Sequence, residues 1–287
     1  AGDIGLKRGV PVVAGGNDSA CSMLGAGVIE PGMVLESIGT SIIFAYVNDR
    51  PVFDARLMNR CHVVPRRWFN LAGMSTPGAA YRWFREELGQ QEKQLAAERD
   101  TDPYTLLDEA ADTSPPGARG LTFLPYLSGE RSPIWDPQAR GVIFGLTLSH
   151  TRKDLIRSIL EGGAYVVFDN MEVFTKRGVD IKEIRITGGG AKSRVWRQIM
   201  ADVLGVPLQI PSTVETATLG AAILAGCGAK IFKTPQEAVN RLVKVEEAEK
   251  PRANQHTIYV KRFQLFKKIY DSLRDCFDLA SALETPT

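Results

Sequence analysis

The chain has 287 residues, 44% of them hydrophobic and 24% charged, with a formal net charge of +2. That length and balance fit an ordinary globular protein with a large core, as one domain or two small ones. The near-neutral charge gives no electrostatic case for nucleic acid or a membrane surface, and no apolar run approaches the roughly 20 residues of a membrane helix.

The opening Ala1-Gly2-Asp3-Ile4 lacks an initiator Met and reads as the middle of a longer protein, so the chain is expected to be a fragment. Residues 10–14 (Val-Pro-Val-Val-Ala) suggest a short strand, broken by Gly15-Gly16-Asn17-Asp18. Small and apolar residues from Ser19 to Leu24 suit a closely packed helix ending near Gly25 or Gly27. Asp18 would then sit at the end of a strand beside a helix N-terminus, where a carboxylate caps the helix or serves as a base. Position alone favours the cap.

Two β-rich runs at 33–38 and 42–47 flank Gly39-Thr40-Ser41 and predict a hairpin. Its corner presents N–H groups and hydroxyls together, which suits a phosphate oxygen, although a plain hairpin turn explains it equally well. A strand region is expected over 61–71, then a helix from about Ala79 to Leu88 that buries Tyr81, Trp83, Phe84 and Leu88. From Gly89 to Gly120 the composition turns polar, which predicts an inserted, solvent-facing helical excursion. Core resumes at 121–127, and the polar, Pro-rich stretch 128–137 reads as a structured functional loop.

Thr151-Arg152-Lys153-Asp154 is a capping box that opens a long helix to about Lys176, stopped by Gly178. Its Gly162-Gly163 pair costs about 1 kcal/mol per glycine in helix propensity, which makes sense if another element packs tightly there. Ile184 and Ile186 mark a buried strand, which the triple glycine Gly188-Gly189-Gly190 stops. A helix follows from about Ser193 to Leu204, with Trp196, Ile199, Met200, Val203 and Leu204 on one stripe and Gly205 at its end. Strand, Gly-rich turn and helix is a geometry in which backbone N–H groups face a ligand without side chains in the way. A short strand over 207–211, a helix of small residues from Glu215 and a final amphipathic helix from Tyr259 to about Leu279 complete the chain. Cys21, Cys61, Cys227 and Cys276 form no C-x-x-C pair, which points to free thiols in a reducing, cytoplasmic compartment and to no metal site. His62, His150 and His256 are scattered and read as structural or surface residues.

Taken together, the glycine-rich corners resemble those of the FGGY carbohydrate kinases, members of the actin-like ATPase superfamily. The resemblance runs along nearly the whole chain but answers to the carboxy-terminal half of such an enzyme. Ala14-Gly15-Gly16-Asn17-Asp18 is similar to the motif that bears the catalytic aspartate, and Ser37-Ile38-Gly39-Thr40-Ser41 to the phosphate-binding hairpin. Thr187-Gly188-Gly189-Gly190-Ala191-Lys192-Ser193 and Glu215-Thr216-Ala217-Thr218-Leu219-Gly220-Ala221-Ala222 resemble the adenosine-binding segments. Pro125-Tyr126-Leu127-Ser128-Gly129-Glu130-Arg131-Ser132-Pro133, with Asp136-Pro137 and Ala139-Arg140-Gly141, is similar to the pentulose-kinase branch.

The resemblance implies an α/β, RNase H-like (actin-like ATPase) lobe with a mixed sheet flanked by helices. It would span 1–252, with the helical insertion at about 89–120 and a C-terminal helix at 253–287 packed on it. An amino-terminal sugar-binding lobe, absent from this chain, would close over ATP and Mg²⁺ in the cleft, and a homodimer is compatible with the family. The implied reaction is ATP-dependent phosphorylation of a sugar hydroxyl, on a ketopentose such as D-xylulose. Asp18 becomes the catalytic base. Gly16, Gly39, Thr40, Gly78, Arg82, Gly189, Gly190, Ala191 and Arg194 become the nucleotide-binding residues, with Arg194 either stacked on the adenine or on the surface. Glu130 and Arg131 belong to the interlobe loop, as a structural salt bridge or in catalysis.

Asn17 stands where the pentulose motif commonly has glycine, Ser19 replaces an amide residue that could help read the sugar, and Trp135 is closer to the glycerol-kinase loop. These departures bear on the substrate and leave the reaction type alone. An isolated fragment is expected to bind nucleotide weakly at best and to turn nothing over. An actin-like scaffold ATPase, or a sugar-responsive module without catalysis, would use the same phosphate turns; the 128–133 loop and Asp18 favour the kinase.

Overall fold

The computed structural model describes residue 3 and residues 5–283; the last four residues of the predicted C-terminal segment lie outside the described residues. Strands β1 (Met33–Ile38) and β2 (Ile42–Asn48) form the expected antiparallel hairpin, with Ile38 opposite Ile42. The predicted strand region at 61–71 is instead a second hairpin, β3 (Met58–Cys61) and β4 (Trp68–Met74), split at 62–67 around Pro65. Strands β5 (Thr122–Leu124) and β6 (Val142–Phe144) pair separately from the main sheet. β7 (Glu183–Thr187) lies parallel to β1, and β8 (Leu208–Pro211) parallel to β7. β9 (Val245–Glu249), which the sequence reading missed, closes the edge antiparallel to β8. The main sheet is therefore mixed and seven-stranded, in the order β3-β4-β2-β1-β7-β8-β9.

Both faces of the sheet are covered, so its central strands are apolar on both sides. On one face Val34, Ile38, Phe44, Ile184 and Ile186 pack in one core with Leu160, Ala164, Trp196 and Ile199. The last four come from α5 (Arg152–Thr175) and α6 (Arg194–Leu204). On the other face Leu35, Ala45 and Val47 meet Ala20 and Met23 of α1 (Asp18–Gly25). The capping box of α5 forms as predicted, and Ser193 caps α6 by accepting the Trp196 N–H at 3.0 Å. The glycine patch of α5 has its tight neighbours: a Cβ on Gly162 would lie 2.4 Å from the Phe123 carbonyl oxygen, and one on Gly163 would lie 3.1 Å from the Trp196 ring.

Helix α2 (Pro77–Trp83) runs into a π-turn at Phe84–Leu88. Tyr81 and Phe84 are buried as expected, but the altered winding leaves Trp83 and Leu88 exposed. The 89–120 region folds as α3 (Gln90–Arg99) and α4 (Pro103–Asp112), and α4 buries Leu106, Leu107 and Ala111. Helix α3 is largely solvent-facing as predicted, with only Glu92 and Ala96 buried, whereas α4 is a wall of the lobe. Helix α7 (Thr216–Gly228) crosses α1 at backbone distance, and α8 (Pro235–Leu242) packs Ala238 and Val239 into the same small core. Helix α9 (Ala253–Leu283) begins where the C-terminal helical segment was expected, six residues before Tyr259, and lays Tyr259, Phe263 and Phe266 on the lobe. The predicted strand at 10–14 does not form: the segment has no ladder partner among the described residues, and Val12 is 93% exposed.

Candidate active site

The parallel register brings Ser37 of β1 level with Thr187 of β7, so the turns that follow the two strands emerge side by side. They touch. Gly188 has φ +87, and a Cβ there would lie 2.5 Å from the Ile38 carbonyl oxygen. The start of α2 closes the arrangement from the third side, where the Ala79 N–H donates to the Thr40 carbonyl at 2.8 Å. Backbone packed this closely leaves no room for a Cβ at Gly188, which is the physical reason for glycine there.

The turns open on a cavity of about 520 Å³ whose lining includes Gly39, Thr40, Gly78, Arg82, Gly189 and Gly190. That volume is in the range of small-molecule sites. Six residues named from the sequence thus share one concave surface. Of the remaining wall the sequence anticipated only Lys192 and Ser193, within the Thr187 to Ser193 segment. That wall comes from Tyr81, from Asp102, Tyr104, Thr105 and Asp108 at the start of α4, and from Lys192, Ser193 and Trp196. Asp102 caps α4 by accepting the Tyr104 N–H at 2.9 Å. The Tyr81 hydroxyl donates to Asp108 Oδ1 at 2.8 Å. Burial raises the pKa of Asp108, against the hydrogen bonds of Ser193 and Tyr81 that favour its ionised form. A sequence signal existed in Asp102-Pro103 before the Leu106-Leu107 pair, a cap and N1 proline ahead of an apolar stripe.

The other named residues lie outside this lining. Asp18 stands exposed in the first turn of α1, its carboxylate accepting the Ser19 N–H at 2.7 Å. It is not the cap: Asn17 accepts the Ala20 N–H at 2.8 Å and does that work, leaving the aspartate facing outward. Gly16 is a packing position, where a Cβ would lie 2.3 Å from Val63 Cγ1 and 3.2 Å from Cys21 Sγ. Ala191 is buried in the turn, and its carbonyl accepts from Arg197 at 2.6 Å. The Arg194 side chain is 84% exposed, lies 3.9 Å from Glu249, and does not line the cavity.

The 128–137 loop is built around buried acids. Glu130 Oε1 accepts the Ser75 N–H at 2.6 Å and the Arg131 N–H at 2.8 Å, and burial pushes its pKa up to about 7. Arg131 donates to Ser75 Oγ at 3.3 Å, so both residues staple the loop to the end of β4. Asp136 accepts the Gln138 and Ala139 N–H groups and the Tyr270 hydroxyl.

Residues 34–229 match the sequence profile of the FGGY family of carbohydrate kinases, C-terminal domain. The chain is 34% identical to the xylulose kinase of Staphylococcus epidermidis, an alignment covering 94% of this chain and 53% of that protein. It is 35% identical to the gluconokinase of Bacillus subtilis, over 77% of this chain and 44% of that protein. The crystal structure of xylulose kinase from Rhodospirillum rubrum superposes with a TM-score of 0.84 at 32% identity, covering 96% of this chain and 54% of that one. The chain thus spans about half the length of the relatives it matches. Among the described residues, no helix is long and apolar enough to cross a membrane.

Proposed function

The chain belongs to the FGGY family of carbohydrate kinases, and from that premise we propose that it supplies the nucleotide-binding half and the catalytic base of an ATP-dependent sugar kinase. The observation that carries this reading is the convergence of three turns on one cavity, through Gly39-Thr40, Gly78 and Gly189-Gly190. Backbone N–H groups and the Thr40 hydroxyl would hold the phosphates there, with Arg82 offsetting their charge.

Phosphoryl transfer is largely positioning and charge neutralisation. The sugar oxygen attacks the γ-phosphorus, the bond from that phosphorus to the β–γ bridging oxygen breaks, and ADP leaves. Asp18 accepts the hydroxyl proton as the new bond forms. Its exposed carboxylate suits this, because it faces away from the lobe where a second lobe can deliver the sugar. Among the described residues no group of three or more His, Cys, Asp or Glu side chains is placed to hold a metal ion. Mg²⁺ would be carried mainly on the nucleotide phosphates, as that ion commonly is, and would neutralise charge on the transferring group.

D-xylulose is the substrate we propose, supported by the xylulose kinases among the relatives and by the Pro125 to Pro133 motif. Most of the sugar-reading surface would lie on an amino-terminal lobe. On this reading the chain alone binds nucleotide weakly and turns over no sugar. The test is ADP release by the full-length polypeptide with ATP and a panel of D-xylulose, other ketopentoses, gluconate and glycerol. The reading expects D-xylulose to give the highest kcat/KM; another acceptor in first place overturns the substrate, and no sugar-dependent ADP release overturns the kinase.

A further inference from the structure

The α4 wall of the cavity carries chemistry that phosphate binding does not use. Asp108 lines the cavity as a carboxylate and not as a cation, so this end repels phosphate and must face another part of a ligand. A hydroxyl fixes it. Tyr81 donates to Oδ1 at 2.8 Å. Ser193, whose Oγ accepts the Trp196 N–H at 3.0 Å, lines the same cavity. With Tyr81 donating, Asp108 is held as an acceptor.

The surroundings are aromatic and rigid. The Tyr81 ring packs 5.1 Å from Tyr104 and edge-on 5.7 Å from Trp196, and Trp196 Nε1 is anchored on the Leu160 carbonyl at 3.1 Å. An apolar slot ending in a fixed anionic acceptor suits a planar heterocycle with an amino group at its edge. A purine 6-amino group donates and matches Asp108. A 6-oxo group accepts, and would set oxygen against oxygen.

We propose that Asp108, positioned by Tyr81, selects 6-amino over 6-oxo purine nucleotides. This rests on the proposed nucleotide role of the cavity and goes beyond it. Discrimination by an unmatched buried polar group exceeds what an apolar pocket alone can give.

The test is calorimetric binding of ATP and of inosine triphosphate to the full-length polypeptide, wild type and two variants. The wild type is expected to prefer ATP by at least about tenfold. Asp108→Asn can turn an amide N–H toward a 6-oxo group, and should bring the ratio to about one or invert it. Tyr81→Phe removes the positioning hydroxyl, and should lower the ratio several-fold. Equal wild-type affinities overturn the proposal, as does an Asp108→Asn variant that weakens both nucleotides equally. If folded wild type binds neither nucleotide, the nucleotide reading of the cavity fails as well. If Asp108→Asn does not fold, the wild-type ratio and Tyr81→Phe still decide.

Discussion

The carbonyl oxygen of Gly39 lies 1.7 Å from where a Cβ on Gly78 would stand. The hairpin corner and the start of α2 are therefore in backbone contact, and that contact sets the width of the phosphate end of the cavity. Gly78→Ala would force the two apart. Nucleotide affinity should fall by at least about tenfold, about 1.4 kcal/mol, and the thermal midpoint should also drop. Calorimetric titration with ATP checks this, and unchanged affinity would show that the contact does not shape the site.

Glu36 is buried with neither carboxylate oxygen hydrogen-bonded, on the strand that leads into that hairpin. Burial pushes its pKa from 4.5 up to about 8. The folded state therefore keeps a proton that the unfolded chain releases, and this part of stability is intact below about pH 4.5. It is lost as pH rises to about 8, at up to ~1.4 kcal/mol per pH unit. Glu36→Gln stays neutral throughout. Denaturant unfolding across pH 5 to 9 should show a flatter stability profile for the variant, which becomes the more stable protein at the alkaline end. Parallel profiles would contradict the assignment.

A Cβ on Gly220 would lie 2.0 Å from the Cys21 carbonyl oxygen, so α7 sets the position of α1 and of Asp18 at its start. Gly220→Ala should cost roughly 1–3 kcal/mol of stability, as overpacking commonly does. It should lower kcat of the full-length enzyme while leaving ATP affinity nearly unchanged, because α1 does not line the cavity. Equal losses in both would mean that α1 and the cavity move as one unit.

Local signals carried most of the legible structure. Ser193 and Gly205 bracket α6 through an N-cap and a left-handed C-cap, and Gly39-Thr40-Ser41 turns the hairpin, all decided within a few residues. What escaped depends on contacts distant in sequence. Residues 10–14 have strand composition, but a strand needs a partner and none is there among the described residues. The 89–120 region is polar on average, which masked the short stripe of Leu106, Leu107 and Ala111 that turns α4 inward and with it Tyr104 and Asp108. Asn17 and Asp18 are both able to cap a helix, and the backbone at the start of α1 decides between them. Arg194 lies on the surface 3.9 Å from Glu249 on β9, an element the sequence pattern had not suggested.

The central claim is that Asp18 takes the proton of the sugar hydroxyl. Its most direct test is single-turnover phosphoryl transfer from ATP to D-xylulose by the full-length polypeptide, wild type against Asp18→Asn, with ATP affinity measured on the same samples. The account predicts a fall in rate of about 10²–10⁴-fold, the usual contribution of a positioned base, with ATP affinity unchanged. A variant that transfers phosphate at the wild-type rate would contradict it.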